Sequence, residues 1–352
     1  MHKLRICKIL LLTRSGLRAR LSGKADKPST CFPYGSAKLP KDLSKPDIPL
    51  EDWWCPQSMA YGFQGFSYPL EVDNCSDPSN SFESMNKDFA RMKADFGASI
   101  VRMYYPTCLN ASVFENALRA GVANDMAVIF QVWTNFGIGD VWKQSQQAIY
   151  DVMDSAEYGH IAPYVVHSAD FGSEPIGDGM DGGGDQFIID LGLFRTKMNS
   201  YGVPAGISED WDRPDWISGP NGVGLTDLGE EVKANSDYCH AHVMPFYHGD
   251  LLVNETWDYI QEQIVWLNGT VNLPTMITET QWAWGPTSHY PDKSDVGVSQ
   301  YTKYWKKYDD ECEYLKKFNI GWFLHAWYGE GTFDIVFDNG SYVIPHWRPR
   351  KC

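Results

Sequence analysis

The chain has 352 residues, 43% of them hydrophobic and 21% charged, which suits either two average domains or one large α/β barrel with a sizeable core. Its net charge of −15 is uneven: residues 1–30 hold eight Lys or Arg against Asp26 alone, a local +7, which leaves −22 on the body. So acidic a body excludes nucleic acid, whose phosphates need a positive surface, and suits neutral or cationic ligands.

From the N-terminus, Ile6–Leu12 resembles the start of a signal h-region, but Lys8 interrupts it and Arg14, Arg18 and Arg20 follow. Two readings remain, an atypical signal start or a basic cytosolic leader. No stretch approaches the roughly 18 apolar residues of a membrane span. Residues 24–52 carry Pro28, Pro33, Pro40, Pro46 and Pro49 among Lys, Ser and Asp without a hydrophobic period, the pattern of a linker or pro-segment that lacks a core. The expected organisation is a basic leader and Pro-rich linker over 1–52, poorly structured or processed, and a single domain over 53–352.

Within that domain short β-branched or aromatic runs alternate with helical stretches. Strands are expected over Tyr61–Phe66, Ser99–Tyr104, Ala127–Trp133, Ala162–His167, Val203–Ser208, Tyr238–Val243, Thr275–Thr280 and Ile320–Ala326. Helices are expected over Ser81–Asp95, Ala111–Ala120, Asp140–Met153, Asp185–Ser200, Gly229–Ala234, Thr256–Leu267 and Ser299–Lys317. In the first helix Phe82, Met85, Phe89 and Met92 fall three or four apart, on one face. Runs such as Met126-Ala127-Val128-Ile129-Phe130 are apolar on both faces, which indicates a parallel sheet covered by helices. Eight such units predict an α/β fold, a single (β/α)8 TIM barrel. A doubly wound sheet competes, but no Gly-x-Gly-x-x-Gly follows the first strand.

Catalytic groups of such a barrel sit at the C-terminal ends of its strands. Glu174 follows strand four in Asp170-Phe171-Gly172-Ser173-Glu174-Pro175, and Glu279 ends strand seven in Ile277-Thr278-Glu279-Thr280-Gln281-Trp282. Both stand among aromatic residues and glycines rather than Lys or Arg. Alternation puts Thr275, Ile277 and Glu279 on one parity, so Glu279 is expected to face inward with those two neighbours. Paired carboxyls flanked by rings suggest glycoside hydrolysis, and retention of configuration needs them about 5–5.5 Å apart. At that distance two charges repel by roughly 3 kcal/mol, enough to keep one protonated at mildly acidic pH.

Other motifs carry less. His240-x-His242 with His248 has metal-ligand residue types, but hydrogen bonding to sugar or backbone is the expected role, with both strand histidines on one side. Gly177–Asp185 has the glycines of a phosphate cradle, but its Asp residues repel phosphate, so it reads as a loop beside Glu174. Of the 14 Trp, Trp211, Trp282, Trp284 and Trp327 follow strand ends, and most are expected to pack in the core or rim. Trp282 is the first candidate for sugar stacking. Six cysteines remain in the body, Cys55, Cys75, Cys108, Cys239, Cys312 and Cys352, with no CxxC spacing, so three disulfides among fifteen connectivities are possible. Asn-x-Ser/Thr sequons begin at Asn74, Asn110, Asn254, Asn268 and Asn339 and, with the cysteines, point to a secreted glycoprotein.

Three motifs occur in the order of one family. Val101-Arg102-Met103-Tyr104, His240-Ala241-His242-Val243-Met244-Pro245-Phe246-Tyr247 and Ile277-Thr278-Glu279-Thr280-Gln281-Trp282 resemble strands two, six and seven of glycoside hydrolase family 17, the fungal and plant β-1,3-glucanases. The resemblance runs from about Tyr61 to Gly340. It implies a retaining hydrolase without metal or cofactor, with Glu174 as acid/base and Glu279 as nucleophile. Tyr68, Tyr104, Ser173, His242, Tyr247, Trp282 and Trp327 are the expected substrate-binding residues. The implied partner is a β-glucan, β-1,3-linked, met outside the cell or in the cell wall by a monomer. The resemblance also implies a Cys75–Cys108 disulfide; Cys239–Cys312 and Cys55–Cys352 complete the set as bare expectations. Ser173 stands where the family has Asn, His242 replaces a second Asn, Met244 a His, Thr107 an Asp and Gln281 a Gly. These departures leave a transglycosylase or a non-catalytic glucan-binding wall protein as alternatives.

Overall fold

Ile100 and Val101, and the run Ala127–Phe130, are wholly inaccessible to water, as strands must be when side chains fill one face and helices cover the other. The computed structural model describes residues 30–248, 251–288 and 293–350. Its strands are β1 (Gly62–Pro69), β2 (Ile100–Tyr104), β3 (Ala127–Gln131), β4 (Val166–Ser173), β5 (Ala205–Glu209), β6 (Cys239–His242), β7 (Thr275–Glu279) and β8 (Gly321–Leu324). Each pairs in parallel with the next and β8 returns to β1, closing the barrel. The expected (β/α)8 architecture is the one observed.

Local chemistry sets the helix ends. Ser81 caps the helix Phe82–Arg91 by accepting from the Ser84 amide, and its buried face carries Met85 and Phe89. After it, a wider turn over Met92–Phe96 ends at Gly97, whose φ of 76° suits glycine. Asn110 caps Ala111–Asn124 in the same way, through the amide of Ser112.

Five expectations change. Residues 162–165 form a helical turn, and β4 runs on to Ser173; apart from Phe171, the stretch Ser168–Ser173 is small or polar, which hides its strand character in the sequence. On β7, Thr278 rather than Ile277 faces inward: its Oγ1 lies 2.9 Å from Ser208 Oγ inside the barrel. A register shift against β6, where Ala241 pairs with Ile277 but His242 pairs with Glu279, brings Glu279 back to the interior. Residues 30–52 do not lack a core. Phe32 and Leu39 are buried, Phe32 stacks on Trp53 at 5.0 Å, and Cys31 is bonded to Cys55. That last bond excludes Cys55–Cys352. Cys239 is free and buried while Cys312 is disulfide-bonded, which excludes Cys239–Cys312; Cys75–Cys108 is present. The leader over 1–29 and Cys352 lie outside the described residues, among which no helix is long and apolar enough to cross a membrane.

Candidate active site

At the C-terminal mouth of the barrel lies a cleft of about 400 Å³ lined by Tyr104, Tyr105, Ser173, Glu174, Asp178, Asp210, Arg213, Met244, Tyr247, His248, Tyr259, Glu279, Gln281, His325, Glu330 and Phe333. Its floor is built around Arg102, an arginine with no exposed side-chain surface inside an otherwise apolar strand. Nη1 donates at 3.3 Å to Ser67 Oγ on β1 and to Glu279 Oε2 on β7. Nη2 donates to Ser173 Oγ at 3.1 Å and Ser208 Oγ at 3.0 Å, on β4 and β5. One guanidinium thus ties β2 to four other strands and gives Glu279 its counter-charge. Leaving a buried partner uncompensated is costly, so Arg102→Met is expected to lower stability by about 3–5 kcal/mol, read from urea unfolding. A loss below about 1 kcal/mol would mean the pair does not organise the floor.

Glu174 leaves β4 with φ 46°, a left-handed conformation rarely adopted outside glycine, held by its amide donating to Ser208 O at 2.8 Å. Gly172 before it has φ 107°, and a Cβ there would stand 2.0 Å from Thr134 Oγ1. These two residues turn the strand end so that the carboxylate faces β7. The loop beyond is pinned by the buried Glu209, which accepts from the Ile176 and Gly177 amides at 3.0 and 3.3 Å. Burial, together with the charge of Glu174, holds the Glu209 carboxyl well above the usual range.

The two glutamates converge: one carboxylate oxygen of each, with one nitrogen of His242, lie within 4.8 Å of one another. His242 Nδ1 is 2.5 Å from Glu174 Oε1, and its Nε2 is 3.6 Å from Glu279 Oε2. Arg213 Nη2 donates to Glu174 Oε2 at 3.0 Å, and the same side chain reaches Asp210 and Asp178. Burial and then Asp210 push the Glu174 carboxyl up to about 7, against the pull of Arg213 and Arg102. Burial also pushes the His242 imidazole down to about 4, Arg102 adding to the shift and Glu279 opposing it. The three convergent groups have the types and spacing of a small cation site. The Arg102 guanidinium, 3.3 Å from both Glu279 Oε2 and His242 Nε2, already places a positive charge there.

Of the expected residues, the structure brings Glu174, Glu279, Tyr104, Ser173 and Tyr247 to the cleft. His242 belongs to the site but sits beneath it, buried behind both carboxylates, so it does not present itself to a ligand. Tyr68 points outward, donating to Asp88 Oδ2 at 3.0 Å on the first helix. Trp282 is fully buried, stacks on Tyr304 and donates to Asp295 O. Trp327 packs between Phe66 and Phe96. Tyr68, Trp282 and Trp327 therefore serve the core: Tyr68 by its outward place on β1, and the two Trp, beyond their strand ends, by the partners that hold them. Trp211 is buried as well. His240 pairs with Asp170 at 2.8 Å rather than reaching the mouth.

Sequence reasoning missed Asp178, Asp210, Arg213, His325 and Glu330. His325 stands one residue past the end of β8, a usable signal; its Nε2 is 3.8 Å from Glu330 Oε2 and its ring 4.8 Å from Tyr104. Arg213, in the long connection after β5, gives no such signal.

No family model matches the sequence, and no curated protein matches it. Solved structures match its fold. A β-1,3-glucanosyltransferase of glycoside hydrolase family 17 from Rhizomucor miehei superimposes with a TM-score of 0.60 at 17% identity, over 81% of this chain and 96% of that one. An active-site mutant of the Rhizomucor miehei β-1,3-glucanosyltransferase in complex with laminaritriose gives 0.63 at 17%, over 82% and 97%. A GH2 β-galacturonidase from Eisenbergiella tayi gives 0.56 at 15%, over 81% of this chain but 50% of its own. At such identities the likeness is one of fold.

Proposed function

We propose that the chain is a retaining glycosidase that cleaves a β-linked glucan, β-1,3-glucan foremost, by double displacement. Glu174 is the acid/base and Glu279 the nucleophile. The observation that carries the reading is the approach of the two carboxylates to within 4.8 Å at the ends of β4 and β7, inside one open cleft. That spacing suits direct attack on the anomeric carbon rather than an intervening water. Their environments differ as the two roles require: Glu174 is pushed up to about 7, while Glu279 is held by a permanent cation. Rings of Tyr104, Tyr105, Tyr247 and Tyr259 line a cleft in which carboxylates outnumber the one arginine, Arg213, which favours an uncharged sugar polymer over an anionic one. The structural neighbour solved with laminaritriose supports a β-1,3-linked substrate.

The test is product analysis on β-1,3-, β-1,6- and mixed-linkage glucans. Release of short oligosaccharides from the β-1,3-polymer is expected. Products longer than the substrate would mark transfer to a sugar acceptor, and binding without release would mark a wall-binding protein.

The Cys31–Cys55 and Cys75–Cys108 disulfides and five exposed sequon asparagines support a secreted glycoprotein. The Asn74, Asn110 and Asn339 side chains cap local turns at the surface. Expressed through a eukaryotic secretory route, the protein is expected to lose several kilodaltons on treatment with an endoglycosidase. An unchanged mass would remove this part of the reading.

A further inference from the structure

Among the described residues, His242 is the one group that touches the acid/base directly, approaches the nucleophile and yet does not face the cleft. The surroundings of its ring decide which nitrogen carries hydrogen. Arg102 has only donors, and its Nη2 stands 3.0 Å from Ser208 Oγ and 3.3 Å from His242 Nε2. An Nε2–H would point into that cation. With Nε2 bare, Ser208 accepts from Arg102 and donates its own hydrogen to Nε2 at 2.7 Å. Thr278 Oγ1, 2.9 Å from Ser208 Oγ, fits as a second donor to that oxygen. The neutral ring then bears its hydrogen on Nδ1, 2.5 Å from Glu174 Oε1.

The charged groups that face the ring are Glu174 at the end of β4, Glu279 on β7, Arg102 on β2, Asp210 after β5 and His325 after β8. Burial and the cations outweigh the carboxylates, so the imidazole is neutral above about 4.

We infer that His242 assigns the two oxygens of Glu174 fixed and different roles: Oε1 remains an acceptor throughout, and Oε2 alone carries the transferable proton. The inference rests on the glycosidase reading for its chemical meaning, though not for its geometry. With Oε1 engaged by Nδ1–H, the proton of the acid form lies on Oε2, the oxygen next to Arg213. Arg213 keeps its place through Asp210 at 3.3 Å and Asp178 at 3.7 Å when Oε2 is protonated. As a Glu279 oxygen bonds to the anomeric carbon and the glycosidic bond breaks, the Oε2 proton passes to the departing oxygen. In the second half the oxygen of water or a sugar hydroxyl bonds to the anomeric carbon, the bond to Glu279 breaks to regenerate its carboxylate, and Oε2 takes the attacker's proton. His242 gains and loses none, so it is a positioning residue.

The first test needs no turnover. Nitrogen-15 NMR of the full, histidine-labelled protein, with the His242 signals assigned by their loss in H242N, reports hydrogen on Nδ1 and a bare Nε2, unchanged from pH 5.5 to 8. Hydrogen on Nε2, or on both nitrogens at pH 6, overturns the inference. The second test reads leaving-group dependence on aryl β-glucosides. H242L is expected to lose about a hundredfold in kcat/KM with a poor leaving group and only a few-fold with dinitrophenolate, while H242N, which offers an amide N–H to Oε1, recovers most of that loss. Equal losses on both substrates overturn the positioning role. A wild type that cleaves no β-glycoside contradicts the proposed function, and the tautomer measurement still decides the inference.

Discussion

Glu279→Gln is expected to abolish glucan cleavage, with kcat/KM falling on the order of 10⁴-fold or more, because the amide cannot form the glycosyl ester through which the reaction divides. The substitution keeps the volume of the side chain and its hydrogen bond from Arg102 Nη1, so the cleft should still bind its ligand. Measured by initial rates on soluble β-1,3-glucan and by ligand-induced change in fluorescence, the expected outcome is binding without turnover. Turnover within tenfold of the wild type would remove Glu279 as nucleophile. The variant also loses the counter-charge of Arg102, for which Glu279 is the one carboxylate in ion-pair range among the described residues, so its melting temperature should fall.

Glu174→Gln is expected to cost about 10²–10⁴-fold on natural glucan, the usual weight of a positioned acid/base. The loss should shrink on a dinitrophenyl glycoside, whose leaving group needs no proton, and added azide should then give a β-glycosyl azide. The pH dependence follows from the same residue. Burial and Asp210 raise its carboxyl to about 7, so the acid form is full at pH 5 to 6 and declines through neutrality. Wild-type kcat/KM should therefore fall about tenfold per unit above pH 7. Arg213 opposes the rise, so Arg213→Gln should move this alkaline limb upward. A limb that stays in place in Arg213→Gln, or that is absent in the wild type, would detach Glu174 from the acid role.

Most of the barrel was legible because eight apolar runs separated by helix-period stretches leave few other packings. The two glutamates were legible because each closes such a run beside glycine and aromatic residues. What escaped has physical causes. Apart from Phe171, the second half of β4 is made of Ser, Ala, Asp and Gly, whose strand character comes from the pairs they make with β3 and β5. Trp282 and Trp327 follow strand ends, but the neighbours that hold them, Tyr304, Phe66 and Phe96, are set by tertiary contact. The inward face of β7 was misread because a register shift has no period of its own. Arg102 did leave a trace, a charge between two apolar residues in a buried strand. Its function as the hub of five strands, and the placing of His242 behind both carboxylates, depend on the closure of the barrel.

The most direct measurement is the anomeric configuration of the first product, followed by proton NMR during cleavage of a β-glucan oligosaccharide. Two carboxylates as close as Glu174 and Glu279 predict the β-anomer first, with the α-anomer growing in only by mutarotation. The α-anomer appearing first would contradict the double displacement and, with it, the assignment of Glu279.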